Sequence, residues 1–203
     1  MSTPAENENR IARAPAPLLE LVQGPAGAAA RPAGLQQRLV GAVRQHHQLV
    51  WRSLRRFGVP ERDLDDAAQQ VFLAFSHRLA KVEVGKEASY LVAVGVRVAA
   101  NARRKLSRSP EVLSDEVETA PAPHTPEGLL SQKQLREELD RGLLQLSLEQ
   151  RAVFVLFELE GFSLPEIAGA LEIPLGTATS RLRRARAHFE AWAAGRNIDG
   201  DEP

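Results

Sequence analysis

The side chains able to do chemistry fall into two groups. The first could bind a metal or move protons: the carboxylates Asp63, Asp65 and Asp66, and the adjacent pair His46-His47. Neighbouring residues on a helix point about 100° apart, so those histidines cannot readily share one ion. Cysteine is absent from the 203 residues, which excludes thiolate metal sites and disulfides, and no glycine-rich phosphate loop is present. Catalysis is therefore not the expected role, and no cofactor or metal is expected. The second group is Thr177, Thr179, Ser180, Arg181, Arg183, Arg184 and Arg186, crowded into ten residues. A guanidinium fork donates in pairs to guanine or phosphate, and a short hydroxyl can meet one base edge. This is the chemistry of recognition.

Such groups need a rigid support, and the stretch from Gly161 to Phe189 supplies one. Ser163 and Glu166 have capping-box spacing, Phe162 and Ile167 occupy hydrophobic-staple positions, and Pro165 suits the first turn of a helix over Leu164–Leu171. Glu172-Ile173-Pro174 interrupts it, and a second helix is expected to begin near Gly176-Thr177. There Leu175, Ala178, Leu182, Ala185, Phe189 and Trp192 recur at three- and four-residue steps and read as one buried stripe. Thr177, Ser180, Arg181, Arg184 and His188 share an opposite face, with Thr179, Arg183 and Arg186 beside it. The pair reads as a helix-turn-helix whose second helix suits a DNA major groove.

The rest of the chain is helical too. Residues 1–33 are rich in proline, alanine and glycine and read as a disordered tail, although Leu18, Leu19, Leu21 and Val22 could form a short docking helix. Leu35, Leu39, Val43, Val50, Leu54 and Phe57 make an amphipathic run that stops at Gly58-Val59-Pro60. Asp63 is the expected cap of the next helix, in which Leu64, Ala67, Ala68, Val71, Phe72, Phe75 and Leu79 form an apolar stripe. Ala88 to Leu106 is a helix that starts apolar and ends basic. Residues 109–126 carry four prolines and four acidic residues and read as a flexible acidic linker. Helices over Leu129–Leu146, with Leu135, Leu139, Leu143 and Leu146 on one face, and over Leu148–Leu159 precede the helix pair. No strand-period alternation is present, so the expected fold is all-α, with two small helical domains, 34–108 and 127–195, and a polar tail at 196–203.

A formal net charge of zero hides an asymmetry. Basic and acidic residues number 14 and 6 over residues 34–108, 3 and 9 over 109–150, and 5 and 5 over 151–195. A basic domain beside an acidic connector points to a nucleic-acid partner. No hydrophobic run approaches the ~18 residues of a membrane span, and the start of the chain lacks the charged-then-apolar order of a signal peptide. A cytoplasmic location without membrane insertion is expected.

At this level the chain resembles the two-domain extracytoplasmic-function sigma factors of bacterial RNA polymerase, from about Leu35 to Trp192. DLDDAAQQVFLAF is similar to that family's polymerase-binding segment, and LSLEQRAVFVLFELEGFSLPEIAGALEIPLGTATSRLRRAR to its C-terminal domain. The resemblance implies core RNA polymerase and promoter DNA as partners and admits an anti-sigma factor. It implies polymerase binding by Asp65, Asp66, Gln69, Gln70 and Phe72, with Gln70 in place of a usual glutamate. Arg97, Asn101, Arg103, Arg104, Lys105 and Arg108 would meet the start-proximal promoter element during strand opening; aspartate is common at the position of Asn101, and Tyr90 replaces a common tryptophan. Thr177, Thr179, Ser180, Arg181, Arg183, Arg184 and Arg186 would read the upstream element. Thr179 stands where a basic residue is usual, and Glu172 where glycine often stands. Arg151 matches a position able to touch phosphate, and an ion pair with Glu149 or Glu158 explains it equally well. The rival reading is a conventional helix-turn-helix regulator that binds DNA without joining the polymerase. Against it, the front half shows no alternating α/β receiver pattern.

Overall fold

The computed structural model describes residues 32–108 and 127–197. Residues 1–31 of the expected 1–33 tail, with the short docking helix that residues 18–22 could form, the linker at 109–126 and residues 198–203 of the expected 196–203 tail lie outside the described residues, whereas Ala33 begins the first helix and residues 196–197 belong to the last. The described residues are helical, without strands: α1 Ala33–Arg56, α2 Leu64–Arg78, α3 Glu87–Arg108, α4 Glu127–Leu144, α5 Leu148–Phe154, α6 Leu164–Leu171 and α7 Leu175–Asn197. Short 3-10 turns at Glu61–Asp63 and Leu79–Lys81 flank α2, and a π turn at Val155–Leu159 prolongs α5. Two compact units result. One contains Val59–Val98 and the chain up to Arg55; the other contains Arg56–Gly58 and the chain from Ala99. The division runs inside α3, whereas the sequence pattern set it at Arg108, because helical periodicity marks where an element ends and not which neighbours it packs with.

In the first unit the apolar positions of α1, α2 and α3 meet in one core. Leu39, Leu54, Leu64, Val71, Phe72, Phe75 and Leu91 are fully buried, and the Phe75 and Tyr90 rings lie 5.9 Å apart. Full burial of each such side chain is worth about 1.5–3 kcal/mol, so this stripe is what holds the helices together. Asp63 precedes α2 but makes no side-chain capping bond. It enters from the 3-10 turn with helical dihedrals, φ −103° and ψ −3°, and not with the extended backbone that a capping side chain needs. Arg38 joins α1 to the segment before α3: Nε donates to the Glu87 carboxylate at 2.8 Å, and the terminal nitrogens to the Leu79 and Val82 carbonyls at 3.1 and 2.7 Å.

In the second unit Leu143, Leu146, Ala152, Val153, Val155, Leu156, Ile167, Ala178 and Ala185 are buried. Leu135 departs from the expected leucine face: it is exposed, and only the later leucines turn inward. Gly142 lets α4 approach α7 closely, since a Cβ there would stand 2.5 Å from a Trp192 ring carbon and 2.8 Å from one of Phe189. Phe154, Phe189 and Trp192 continue that contact, with successive ring centroids 5.2 and 5.5 Å apart.

Candidate nucleic-acid interface

The helix pair α6–α7 is fixed by local chemistry. The Ser163 amide donates to Glu166 Oε2 at 2.9 Å, and the Glu166 amide donates to Ser163 Oγ at 3.4 Å, so the expected capping box forms. α6 ends in a Schellman arrangement: Glu172 adopts left-handed dihedrals, φ 56° and ψ 42°, its amide reaches the Gly169 carbonyl, and the Ile173 amide reaches the Ala168 carbonyl at 3.0 Å. Within the expected Glu172-Ile173-Pro174 interruption the break is therefore built two residues before the proline, by a non-glycine residue in a conformation that glycine prefers. The Pro174 carbonyl then accepts from the Thr177 and Ala178 amides at 2.9 and 3.1 Å, starting α7.

Within α7 the expected stripe is half right. Ala178, Leu182 and Ala185 are buried and Phe189 and Trp192 are half-buried, but Leu175 is 50% exposed. It sits on the first turn, beyond the elements that cover the rest of the stripe. Thr179, Arg183, Arg184 and Arg186 are exposed, and Thr177, Ser180 and Arg181 are half-buried. The hydroxyls are turned back on their own helix, Thr179 Oγ1 donating to the Leu175 carbonyl at 2.9 Å and Ser180 Oγ to the Thr177 carbonyl at 3.0 Å.

Two of the proposed DNA contacts are engaged inside the unit. Arg186 pairs with Glu158 at 2.6 Å and lies over the Phe157 ring, 5.4 Å from its centroid, so it ties α7 to the turn after α5. Arg151 is buried: Nη2 donates to the Leu144 and Leu146 carbonyls at 3.0 and 2.9 Å, and burial lowers its pKa to about 10, which leaves it charged at neutral pH. Neither the expected phosphate contact nor an ion pair with Glu149 or Glu158 describes it. It satisfies carbonyls left open where α4 ends, a need no linear pattern displays. The Glu149 carboxyl lies below its ordinary range through its own amide, the Ser147 hydroxyl and the charge of Arg181.

On α3, Arg97, Asn101, Arg103, Arg104 and Lys105 are all exposed, while the Arg108 side chain lies outside the described residues. Arg97, Asn101 and Arg104 recur at i, i+4 and i+7 and share a face. Arg104 donates to Asn101 Oδ1 at 3.1 Å. On α2, Asp65, Asp66 and Gln70 are exposed and Gln69 is half-buried. Phe72 is fully buried, so it anchors α2 within its unit and is not itself part of an exposed contact face. Asp65 accepts from the Trp51 indole at 3.3 Å. His46 and His47 are half-buried with pKa values lowered by that burial, against the opposing charges of Glu87 and Asp65 respectively. Among the described residues no group of three or more His, Asp or Glu side chains could hold a metal, and no helix is long and apolar enough to cross a membrane.

Comparison with known proteins agrees with this geometry. Residues 42–109 match the family model for sigma-70 region 2, and residues 136–189 that for sigma-70 region 4. The ECF RNA polymerase sigma factor SigE of Mycolicibacterium smegmatis is 29% identical over 75% of this chain; the match spans 60% of that relative's length. The ECF RNA polymerase sigma-E factor of Escherichia coli K12 is 31% identical over 71% of this chain and 80% of its own. Among solved structures, CnrH in complex with the cytosolic domain of CnrY superimposes with a TM-score of 0.59 at 21% identity, over 95% of this chain and 98% of that one. The sigma factor RpoE in complex with the anti-sigma factor NepR from Bartonella quintana gives 0.59 at 19% identity, over 84% and 100%. These two likenesses bear on fold alone. The two sigma-70 regions in order, the capped helix pair bearing arginines, and the E. coli relative together make this chain a member of the ECF RNA polymerase sigma factors, the family that directs the polymerase to promoters and starts transcription.

Proposed function

We propose that two basic helical surfaces, one in each of the expected modules 34–108 and 127–195, divide promoter recognition between them. α7 enters the major groove of the upstream element, with Thr177, Thr179, Ser180 and Arg181 towards base edges and Arg183 and Arg184 towards guanine or phosphate. The basic stretch of α3, with Arg97, Asn101, Arg103, Arg104, Lys105 and Arg108, engages the start-proximal element and favours the opened strand. Asp65, Asp66 and Gln70, flanked by Gln69, meet core polymerase from the exposed face of α2. Residues 34–108 and 127–195 act as the two modules, with 109–126 as the connection between them. The protein works as a binding subunit with no reaction of its own, in the cytoplasm where the chromosome lies, and an anti-sigma factor is the class of partner that would hold it inactive. The observation that carries this reading is the capped α6–α7 pair, which leaves Arg183 and Arg184 exposed behind the first turn of α7.

The test is transcription by core polymerase with the full chain on fragmented genomic DNA, followed by sequencing of transcript starts. Starts should share an upstream motif at constant spacing. Starts no different from those of core polymerase alone would refute the sigma reading, and motif binding without polymerase association would favour the conventional regulator.

A further inference from the structure

The first turns of α7 carry an apolar surface that hydrophobic periodicity assigns to the core. Leu175 is 50% exposed, and Thr179, one turn later on the same face, is exposed as well. The one hydroxyl proton of Thr179 goes to the Leu175 carbonyl, and that of Ser180 to the Thr177 carbonyl. Neither hydroxyl therefore has a donor left for guanine O6 or N7, adenine N7 or thymine O4. Each oxygen can still accept from adenine N6 or cytosine N4, but towards a thymine edge, which presents only O4 and a methyl group, what Leu175 and Thr179 offer is methyl groups. In the major groove only thymine presents a methyl group of its own. Arg183, a further turn along the same face and exposed, supplies the charge complementary to the backbone of DNA seated there.

We infer that Leu175 and Thr179 together form an apolar contact for the 5-methyl group of one thymine in the upstream element, and that this pair sets base preference at that position. The inference rests on the groove docking of α7 proposed above. It gives Thr179 a positive role: a basic residue at this position would read guanine or phosphate, and threonine over an exposed leucine selects thymine.

The full chain, bound to core polymerase, is used to select preferred sequences from DNA randomised across the upstream element. The winning sequence is then resynthesised with each thymine replaced singly by uracil, which removes only the methyl group. At one thymine, affinity should fall about fourfold, the worth of one buried methyl. Thr179→Val, which keeps the methyl and loses the hydroxyl, should retain that thymine-to-uracil ratio. Thr179→Ser and Leu175→Ala should bring it towards one, with melting temperatures near that of the parent because both sites are exposed. A selected element without a uracil-sensitive thymine, or a ratio unmoved by Thr179→Ser and Leu175→Ala, overturns the inference and leaves groove docking standing. Selection that enriches no sequence removes the docking itself, and the inference with it.

Discussion

Replacing Gly142 by alanine sets two opposed effects against each other. In a helix interior the change is ordinarily favourable by about 1 kcal/mol, because glycine loses more backbone freedom on folding. In α4 the added carbon would stand 2.5 and 2.7 Å from two ring carbons of Trp192 and 2.8 Å from one of Phe189. Carbon atoms in good contact sit about 3.5–4.0 Å apart, so α4 and α7 must separate by roughly 1 Å or the rings must leave their rotamers. Overpacking of this kind costs about 1–3 kcal/mol. The net change should then lie between about 0 and 2 kcal/mol of destabilisation. Gly169 supplies the control: it is exposed within α6, with nothing inside 4 Å of its would-be Cβ, so Gly169→Ala should keep the whole gain of about 1 kcal/mol. Urea unfolding in a Trp51→Phe background, where Trp192 is the remaining tryptophan reporter, should separate the two variants by about 1–3 kcal/mol. Equal stabilisation by both would refute the claim that close approach of the α4 backbone to the rings positions α7.

Three other outcomes follow from particular contacts. Glu172→Gly should raise thermal stability by about 0.5–1 kcal/mol, since glycine adopts the left-handed Schellman position without the cost borne by a side chain; a lower melting temperature would mean that the carboxylate's own interactions outweigh that relief. Arg186→Ala should cost about 0.5–1 kcal/mol of stability through loss of Glu158 and the Phe157 ring, yet leave the slope of log affinity against log salt unchanged; a slope smaller by about one would make Arg186 a phosphate contact after all. Burial alone would raise the pKa of Glu87, but its own amide and the bond and charge of Arg38 outweigh this and hold it below the ordinary glutamate value. The contribution is therefore fully present above that value and is lost as pH falls through the lowered one, so acid melts of the parent should lose a stabilising component that Glu87→Gln never has; identical pH profiles would remove Glu87 from the account.

The sequence by itself determined whatever is settled within one or two turns of helix. The Ser163–Glu166 capping box, the break before Pro174 and the stripe from Ala178 to Ala185 depend on residues three or four apart, and all are present in the structure. The family-like segments were legible for the same reason. Only the tertiary structure decided the rest, because burial and pairing depend on what packs against an element. Leu175 belongs to the stripe by spacing yet is exposed, and Phe72 lies in a segment that resembles the family's polymerase-binding one yet is fully buried. Arg186 finds Glu158 across 28 positions, Arg38 finds Glu87 across 49, and Arg151 turns to carbonyls at the end of α4. A guanidinium looks the same in a sequence whether it faces a phosphate, a carboxylate or a helix end. Which of these it meets is fixed by the desolvation it undergoes and the partner the fold brings to it, and both are properties of the packed chain.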